Sequence, residues 1–423
     1  MPSVFFETFG CQMNIADSNM LAHALYAKGY YAADDSASAD LIVVNTCSVR
    51  EHAEVRAKAR IVEYVNTKKK SARPPEIWVI GCMAQRLGAY LQKEISGIDR
   101  IIGAKEIVSF TQELCGPTRN AEAAIHGERK ATGLISAFVP IMRGCNNFCS
   151  YCIVPYVRGK ETSISAAEIE KDIIGLVENG TKEVTLLGQN VNSYNDGTLD
   201  FSGLLKKIHS VPDLLRIRFT TSHPKDCTDD LLDTVAQRPK LCRHIHLPVQ
   251  SGSTRILDLM NRRYTRETYL QRIEAIKDKI PDADISTDVM VGFPGETDKD
   301  FEETLSLFDQ VRFTSAFMFA YSVREGTEAA KMDDDVPVSI KKERLNRLIS
   351  LQTAITKERY AAMVGKNMDV LFLERQRGKQ KLWIGQNYGC KRALLACNDN
   401  VAGMILQVRA IHSSGMTLVT ERI

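Results

Sequence analysis

Three cysteines lie close together in the middle of the chain. Cys145, Cys149 and Cys152 occur in the run Arg-Gly-Cys-Asn-Asn-Phe-Cys-Ser-Tyr-Cys that begins at Arg143. Three thiols within eight residues can converge on one small object, and thiolates are ligands of iron–sulfur clusters and of zinc. A zinc site needs a fourth ligand, usually from a second Cys-x2-Cys or a His pair, and the chain has neither. The spacing therefore favours a four-iron cluster with one iron open for substrate chemistry.

Three further cysteines each end an apolar run. Cys11, Cys47 and Cys82 are separated by 36 and 35 residues, which suits one strand–helix unit per interval. Parallel strands connected in this way place their C-terminal ends along one edge of a sheet. The spacing predicts a further trio of thiols at that edge. The alternative is three strand-terminal core cysteines, since free cysteine is often buried.

Strand-like and helical segments alternate through residues 2–118. The expected strands are Ser3–Phe9, Leu41–Asn45 and Ile77–Ile80, and the expected helices are Ser18–Lys28 and Arg50–Lys69. This alternation is typical of an α/β domain with a parallel sheet covered on both faces. The small and polar residues 118–132 indicate a linker.

Residues 131–361 repeat the alternation more regularly. The expected strands are Phe138–Met142, Glu183–Leu187, Leu215–Thr220, His244–Leu247, Ile285–Val291 and Ser315–Phe319. The expected helices are Ala166–Asn179, Phe201–His209, Thr228–Ala236, Ser253–Met260, Arg266–Lys279 and Asp298–Gln310, followed by a long charged helix over Ser339–Met363. Six such units predict a partial, open (β/α)6 barrel rather than the closed eight-unit form.

The loops at the expected barrel strand ends mix Gly or Pro with polar groups. Ligands of such folds bind at the C-terminal ends of the strands. One such loop alone is ordinary, but five at successive strand ends, behind a cysteine motif, favour a binding site. The candidate cofactor contacts in these loops are Gly188, Gln189, Ser222, Gln250, Ser251, Gly292 and Glu296.

The last segment, residues 364–423, predicts a small antiparallel β-barrel. Its expected strands are Met368–Leu373, Leu382–Gln386, Met404–Ile411 and Thr417–Thr420. The segment has nine basic and four acidic residues, whereas the whole chain has a net charge of only +3. Such charge suits phosphate contacts, and neighbouring aromatic residues suit base stacking. The proposed phosphate contacts are Arg375, Arg377, Lys379 and Lys381, and the stacking candidates are Phe372, Trp383 and Tyr388.

The composition is ordinary for a globular protein of two or three domains. The chain has 423 residues, of which 44% are hydrophobic and 25% charged. Neither a secretory signal nor an apolar run of about 18 residues is recognisable, so a cytoplasmic protein without a membrane span is expected. Eleven cysteines in that setting argue against a disulfide framework. The remaining five are expected at core positions: Cys115, Cys227, Cys242, Cys390 and Cys397.

The Cys-x3-Cys-x2-Cys spacing at the mouth of a partial barrel resembles the radical S-adenosylmethionine superfamily. The resemblance implies that the open iron binds the amino and carboxylate groups of S-adenosylmethionine. Reductive cleavage of that cofactor then gives a 5′-deoxyadenosyl radical. Tyr151 occupies the aromatic position before the last cysteine, which the resemblance places near the adenine.

The order of the three segments resembles the methylthiotransferase family across essentially the whole chain, with a TRAM-like RNA-binding domain at the end. The resemblance implies that Cys11, Cys47 and Cys82 hold an auxiliary four-iron cluster that carries the sulfur to be transferred. The local signatures Gly10–Asn14, Asp17-Ser18 and Asn45–Arg50 look most like the branch that acts on N6-(dimethylallyl)adenosine in tRNA.

The implied enzyme is an alkylthio-group transferase that modifies C2 of this adenosine next to the anticodon. It would use two 4Fe-4S clusters and two S-adenosylmethionine molecules per product, take electrons from a donor such as a flavodoxin or ferredoxin, and act as a monomer. Two family alternatives remain open, namely N6-threonylcarbamoyladenosine in tRNA and an aspartate of a ribosomal protein. A radical enzyme without sulfur insertion and a non-enzymatic, zinc-containing RNA-binding protein are the others.

Overall fold

The structure is a computed structural model that describes residues 1–49, 51–115, 134–378 and 381–423. The expected linker, residues 118–132, lies outside the described residues. The domain bounds 2–118, 131–361 and 364–423 stay predictions. In the described ranges, no helix combines the length and apolar character needed to cross a membrane.

The N-terminal part is a five-stranded parallel sheet with helices on both faces. Its strands are β1 (Ser3–Thr8), β2 (Tyr31–Ala32), β3 (Leu41–Thr46), β4 (Glu76–Gly81) and β5 (Arg100–Gly103), in the order β2-β1-β3-β4-β5. Its helices are α1 (Gln12–Ala27), α2 (Glu51–Lys70), α3 (Cys82–Glu94) and α4 (Ile107–Cys115). Alternate residues of β3 explain the two layers, because Ile42 packs with Ile61 of α2 and Leu41 packs with Leu21 of α1. The expected parallel sheet covered on both faces is confirmed.

The first helix starts earlier than the sequence predicts. It begins at Gln12 rather than Ser18, because Gly10 takes a positive φ of 116° and Cys11 follows in an extended conformation as the N-cap residue. Glycine adopts that φ without the steric cost that a side chain would add. The strand therefore turns into the helix within three residues, and Cys11 lies at the junction.

The central part contains eight strands and eight helices in the described residues. The strands are β6 (Ser136–Pro140), β7 (Met142–Arg143), β8 (Thr162–Ser163), β9 (Glu183–Leu187), β10 (Arg216–Phe219), β11 (His244–His246), β12 (Asp284–Val291) and β13 (Ser315–Ala320). The helices are α5 (Val154–Arg158), α6 (Ala166–Glu178), α7 (Phe201–His209), α8 (Asp229–Gln237), α9 (Thr254–Leu259), α10 (Arg266–Lys279), α11 (Asp298–Val311) and α12 (Val338–Ala361). Side-chain caps at Ser165, Thr265 and Thr297 fix the starts of α6, α10 and α11.

Six of these strands form the expected partial barrel. The parallel sheets β6-β9-β10 and β11-β12-β13 are joined by a parallel bridge between Ile217 and Leu241, which leaves the barrel open between β6 and β13. Apolar residues such as Val184, Ile217 and Val289 share one large core cluster with residues of the surrounding helices. The alternate residues of the same strands face the inside of the barrel, which we call the lumen.

The C-terminal part is a closed five-stranded barrel. Its strands are β14 (Asn367–Arg375), β15 (Leu382–Asn387), β16 (Arg392–Ala396), β17 (Ile405–Ser414) and β18 (Thr417–Arg422), in the order β14-β15-β16-β18-β17. The expected small barrel is confirmed, and β16 is a strand that the sequence reading missed. Four of its strand pairs are antiparallel as expected, whereas β16 and β18 pair in parallel.

The turn between β15 and β16 packs against the N-terminal ends of the partial-barrel strands. Arg216, the first residue of β10, is fully buried, and its guanidinium donates to the backbone carbonyls of Gln386 and Asp369 and lies 4.3 Å from the centre of the Tyr388 ring. Asp284, the first residue of β12, forms a buried ion pair with Lys391. The C-terminal barrel therefore covers one end of the lumen, and the candidate-site loops surround the other.

Candidate active site

Cys11, Cys47 and Cys82 each follow one of three adjacent parallel strands. The register of β1, β3 and β4 pairs Thr8 with Asn45 and Thr46 with Gly81, so the three strand ends are level. Cys47 and Cys82 are buried, and Cys11 is partly exposed. The structure thus brings Cys11, Cys47 and Cys82, the first trio in chain order, to one edge of the sheet, as the spacing requires.

The middle cysteine of this trio, Cys47, is closely surrounded by backbone. A Cβ atom on Gly10 would lie 2.6 Å from Cys47 Cβ and 3.0 Å from Cys47 Sγ, so only glycine allows this approach. The pKa of the Cys82 thiol is raised to about 11, because burial and the neighbouring thiols of Cys47 and Cys11 raise it more than the guanidinium of Arg158 lowers it. The Val49 backbone N–H donates to Cys47 Sγ at 3.3 Å. Three thiols that affect one another in this way suit a shared ligand.

The residues of the Gly10–Asn14 and Asp17-Ser18 signatures hold this edge together. Asn14 Nδ2 donates to the carbonyls of Phe9 and Thr46 at 2.8 and 3.0 Å, which ties the end of β1 to the end of β3. Asp17 is fully buried and accepts from Arg143 at 2.6 Å and from Arg158 at 3.0 Å. Both arginines belong to the central part, so these signature residues also join the two parts of the chain.

Arg158 is a buried cation beside the first trio. Burial works against its charge, but the carboxylate of Asp17 and the thiols of Cys82 and Cys11 raise the pKa of its guanidinium. Its Nη2 also donates to Asn14 Oδ1 at 2.9 Å. The sequence reading did not identify Arg158, and no local pattern marks it, because its partners lie more than 130 residues away.

Cys145, Cys149 and Cys152 lie on one tight loop after β7. Cys145 and Cys149 are buried, Cys152 is partly exposed, and the Cys152 N–H donates to the Cys149 carbonyl at 2.9 Å. Burial raises the pKa of the Cys152 thiol to about 12, and the Cys149 thiol adds to the shift. Gly144 has a φ of 77°, and a Cβ there would lie 2.1 Å from the Lys160 carbonyl oxygen. The second predicted trio is therefore also brought together.

Arg262 is the buried cation of the second trio. Its Nη1 lies 3.3 Å from Cys149 Sγ and 3.4 Å from the Tyr151 hydroxyl, and its Nη2 donates to the Pro248 carbonyl at 2.8 Å. Burial opposes its charge, while the Tyr264 and Tyr151 hydroxyls and the Cys149 thiol raise its pKa. The sequence reading missed Arg262, which follows α9 in an unremarkable stretch.

The two trios lie near each other through the segment that follows the second one. The Gly159 carbonyl accepts from the Cys145 N–H at 3.2 Å, and the preceding residue, Arg158, reaches the first trio. Cys82 packs in one apolar cluster with Ile153, the residue after the last cysteine of the second trio. In the described ranges, no three or more His, Cys, Asp or Glu side chains form a site for a single metal ion. A four-iron cluster is larger than one ion, and its thiolates stand farther apart.

Several buried polar atoms at the ends of β9 and β10 lack a partner among the described residues. They are Gln189 Oε1, Asn190 Oδ1 and Ser222 Oγ. Buried polar atoms in folded proteins are normally hydrogen-bonded, so unpaired ones at strand ends fit a polar ligand that bonds them. Gln189 and Ser222 were predicted from the sequence, and Asn190 adds to them. The residues present therefore fit a polar cofactor at this end of the barrel.

The other predicted cofactor contacts make bonds within the protein. Gln250 has a φ of 72°, and Ser251 Oγ accepts from the Ser253 N–H at 3.2 Å. The Gly292 N–H donates to Glu296 Oε2 at 2.6 Å, and the same carboxylate pairs with Arg344 of α12. Gly188 packs against Met142, and Tyr151 packs against the apolar cluster around Phe293. The cofactor roles of Gly188, Gln250, Ser251, Gly292, Glu296 and Tyr151 stay predictions.

The basic surface of the C-terminal barrel is partly as predicted. Arg375, Arg377 and Lys381 are exposed, and Lys379 lies outside the described residues. The interpretation of Phe372 and Trp383 as base-stacking residues is wrong, because they are 0% and 3% exposed and form the barrel core. The third stacking candidate, Tyr388, has one ring face covered by the guanidinium of Arg216.

The five cysteines outside the trios were expected in the core. Cys115, Cys227 and Cys242 are buried, whereas Cys390 and Cys397 are partly exposed. The prediction is therefore confirmed for three of them and holds in part for the two in the C-terminal barrel, because Cys397 packs against the core of that barrel and the Cys390 thiol contacts the thiol of buried Cys242. Cys390 lies in the turn between β15 and β16, and turns keep part of their surface in solvent.

Comparison with known proteins agrees with this architecture. Residues 139–308 match the Radical SAM superfamily, and residues 3–103 match Uncharacterized protein family UPF0004. In solved structures, the chain resembles the radical S-adenosylmethionine methyltransferase TsrM from Kitasatospora setae, with a TM-score of 0.57 over 78% of this chain and 77% of that one. The sequence identity is 14%, so this likeness concerns the fold alone.

Curated relatives match over most of the chain. The tRNA-2-methylthio-N(6)-dimethylallyladenosine synthase of Syntrophus aciditrophicus (strain SB) is 46% identical over 383 residues, which cover 87% of this chain and 83% of that protein. The protein of the same name from Geotalea uraniireducens (strain Rf4) is 44% identical, with 96% and 95% covered. The chain thus belongs to the radical SAM superfamily and, within it, to the family of tRNA-2-methylthio-N(6)-dimethylallyladenosine synthases.

Proposed function

We propose that this protein attaches a methylthio group to C2 of N6-(dimethylallyl)adenosine next to the anticodon of tRNA. It would use two 4Fe-4S clusters and two S-adenosylmethionine molecules per product. The observation that carries the proposal is the proximity of two cysteine trios, joined through Arg158 and Ile153, in a chain 46% identical to an enzyme of that name. One trio would serve radical formation, and the other would serve sulfur transfer.

Cys145, Cys149 and Cys152 would hold the cluster at the mouth of the barrel. When bound, this cluster supplies the electron that splits S-adenosylmethionine into methionine and a 5′-deoxyadenosyl radical. Gln189 and Ser222 would bind polar groups of that cofactor, because their buried oxygens otherwise lack a partner among the described residues. The radical is needed because an aromatic C2–H bond is inert to ordinary acid–base chemistry.

Cys11, Cys47 and Cys82 would hold the auxiliary cluster, where the sulfur to be transferred would be kept and methylated by the other S-adenosylmethionine. Asn14 fixes the strand ends that carry two of these thiols. Arg158 places a permanent positive charge beside the trio, which favours negatively charged sulfur ligands there. The protein would keep the two sites close, so that a radical formed at C2 of the adenine can reach the methylated sulfur.

The partners follow from the same scheme. tRNA would contact the basic barrel through Arg375, Arg377, Lys379 and Lys381. A small electron carrier such as a flavodoxin or ferredoxin would reduce the cluster at the barrel mouth. The protein would act as a monomer in the cytoplasm.

Replacing one cysteine of each trio tests the division of labour. Cys145→Ala should abolish 5′-deoxyadenosine formation, whereas Cys47→Ala should retain it and lose methylthiolated nucleoside. Cys227→Ala, a buried cysteine in the barrel core, serves as the control and should retain both. The assay is anaerobic turnover with tRNA that carries the dimethylallyl group, followed by mass analysis of its nucleosides. Full product from Cys145→Ala or from Cys47→Ala would contradict the scheme.

Two further measurements separate the alternatives. Iron and sulfide near eight atoms each per chain support two four-iron clusters, whereas zinc without sulfide supports a non-enzymatic RNA-binding protein. Nucleoside analysis of tRNA from cells with and without the protein identifies which adenosine loses its methylthio group. Loss from threonylcarbamoyladenosine instead, or no change in tRNA, would reject the proposed substrate.

A further inference from the structure

Three neighbouring side chains form one wall of the lumen below the candidate active site. On β11 and β12, Ile245 and Val289 belong to the core cluster that includes helix residues. His246 and Asp288 are adjacent to them in sequence and therefore lie on the opposite face of the sheet, which lines the lumen. Phe317 of β13 is the register partner of Asp288 and shares this face. We call His246, Asp288 and Phe317 the lumen wall.

The lumen wall combines a polar pair with an aromatic ring. His246 Nδ1 lies 2.8 Å from Ser286 Oγ, and its Nε2 lies 3.5 Å from Asp288 Oδ1. The His246 and Phe317 rings are 6.0 Å apart between centroids and meet edge to face at 80°. The bond to Ser286 and the ring contact hold the imidazole in place, so the polar pair stands beside an apolar surface of fixed orientation.

Phe317 is unusually exposed for an aromatic residue inside a barrel. It is 53% exposed, and the Asp288 side chain is 29% exposed. β13 is an edge strand at the open side of the barrel, so a ligand that enters from that side meets Phe317. A large apolar surface kept open beside a polar pair is characteristic of a ligand pocket rather than of a packed core.

The lumen wall lies two residues along β12 from the proposed cofactor site. Met290 follows Asp288 on the same face of β12 and packs in the cluster that contains Tyr151, within the second cysteine trio's loop. Two residues along a strand span about 6.6 Å. A planar group held against the lumen wall would therefore lie close below the cofactor bound at the strand ends.

We propose that the lumen wall binds the modified adenine, with Phe317 against the dimethylallyl group and the His246–Asp288 pair at the base edge. The adenine N6–H is a donor that a carboxylate can accept, and the dimethylallyl group on the same nitrogen is a small apolar branch. The wall presents these two complementary surfaces side by side. This assignment rests on the proposed function and names the residues that make it specific for the dimethylallyl nucleotide.

Equilibrium binding of two synthetic anticodon stem-loops tests the assignment. One stem-loop carries the dimethylallyl group on the adenosine next to the anticodon, and the other carries plain adenosine. The wild-type protein should prefer the first, and Phe317→Ala should reduce that preference by about tenfold, the order expected when apolar contact with a small group is lost. Phe317→Leu, which retains an apolar side chain of similar size, should keep most of the preference for the dimethylallyl stem-loop. Tyr90→Ala, at a residue 54% exposed on α3, is the matched control and should keep all of it.

Asp288→Asn separates recognition of the base from recognition of its substituent. It should weaken binding of both stem-loops alike and leave their ratio unchanged. A folded Phe317→Ala protein that retains the wild-type preference, or a wild-type protein without any preference, would overturn the assignment. Turnover assays on the same wild-type preparation keep the two proposals apart. If the wild-type protein methylthiolates tRNA but Phe317→Ala binds the two stem-loops in the wild-type ratio, only the lumen-wall assignment is refuted. If Phe317→Ala reduces that binding ratio but the wild-type protein does not methylthiolate tRNA, only the proposed reaction is refuted.

Discussion

Replacing Arg262 should lower the reduction potential of the cluster proposed at Cys145, Cys149 and Cys152. Its Nη1 lies 3.3 Å from Cys149 Sγ and is buried, so its charge is little screened by solvent. Hydrogen bonds to cluster sulfurs and nearby charges are main determinants of such potentials. Arg262→Gln keeps an N–H donor on a shorter side chain and removes the charge, which makes the reduced, more negative state less favourable.

The size of the shift follows from this distance. A unit charge 3.3 Å from a unit charge on sulfur contributes about 5 kcal/mol at an effective dielectric constant of about 20. Because the added electron is shared over the whole cluster, we take somewhat less than half of this Coulomb energy, about 2 kcal/mol. Since about 1.4 kcal/mol corresponds to about 59 mV for one electron, the midpoint potential should fall by roughly 80 mV.

A redox titration of the reconstituted protein, followed by electron paramagnetic resonance, measures the shift. Arg262→Lys retains the charge and should move the potential much less. Arg263→Gln removes an exposed neighbouring charge, which solvent screens, and serves as the matched control. If Arg262→Gln has an intact cluster and the wild-type potential, or if Arg263→Gln shifts it equally, the electrostatic role of Arg262 is wrong.

Three further predictions concern the C-terminal barrel. Lys391→Met removes the main cation of buried Asp284 and should cost about 3 kcal/mol in urea unfolding, and an unchanged midpoint would refute the role of this pair. Burial opposes the charge of Asp284, but Lys391 lowers the pKa of its carboxyl, so this stabilisation is complete above about pH 4 and is lost as the pH falls through the lowered pKa. Arg377→Gln with Lys381→Gln should reduce the salt dependence of tRNA binding, log K against log salt, by about two units, whereas an unchanged slope would reject both phosphate contacts.

The sequence predicted the trios because strand-terminal positions are local properties. Cys47 and Cys82 end runs of apolar residues, and parallel pairing of those runs then requires their thiols to meet at one edge. Arg158 and Arg262 could not be predicted in the same way. Their partners, such as Asp17 and Cys149, lie more than a hundred residues away, and only packing brings them together.

The wrong assignment of the aromatic residues has a different origin. Trp383 belongs to β15, where buried residues alternate with partly exposed ones, and strict attention to that alternation would have placed it inside the barrel. Composition alone suggested stacking, but a small closed barrel needs bulky side chains to fill its interior. Arg377 and Lys381 remain candidate phosphate contacts, because they lie at or beside a turn, where side chains reach solvent.

The turn that joins β15 to β16 has a consequence for the modular use of this fold. A chain cut after α12 would leave Asp284 without Lys391 and would uncover the guanidinium of Arg216. Both residues lie at the N-terminal ends of the partial-barrel strands. Such a truncation would lose the proposed RNA contacts and folding stability together, so its inactivity would not separate the two effects. Exchange of the C-terminal barrel between relatives should succeed only when the incoming barrel supplies a cation for Asp284 and backbone carbonyls for Arg216.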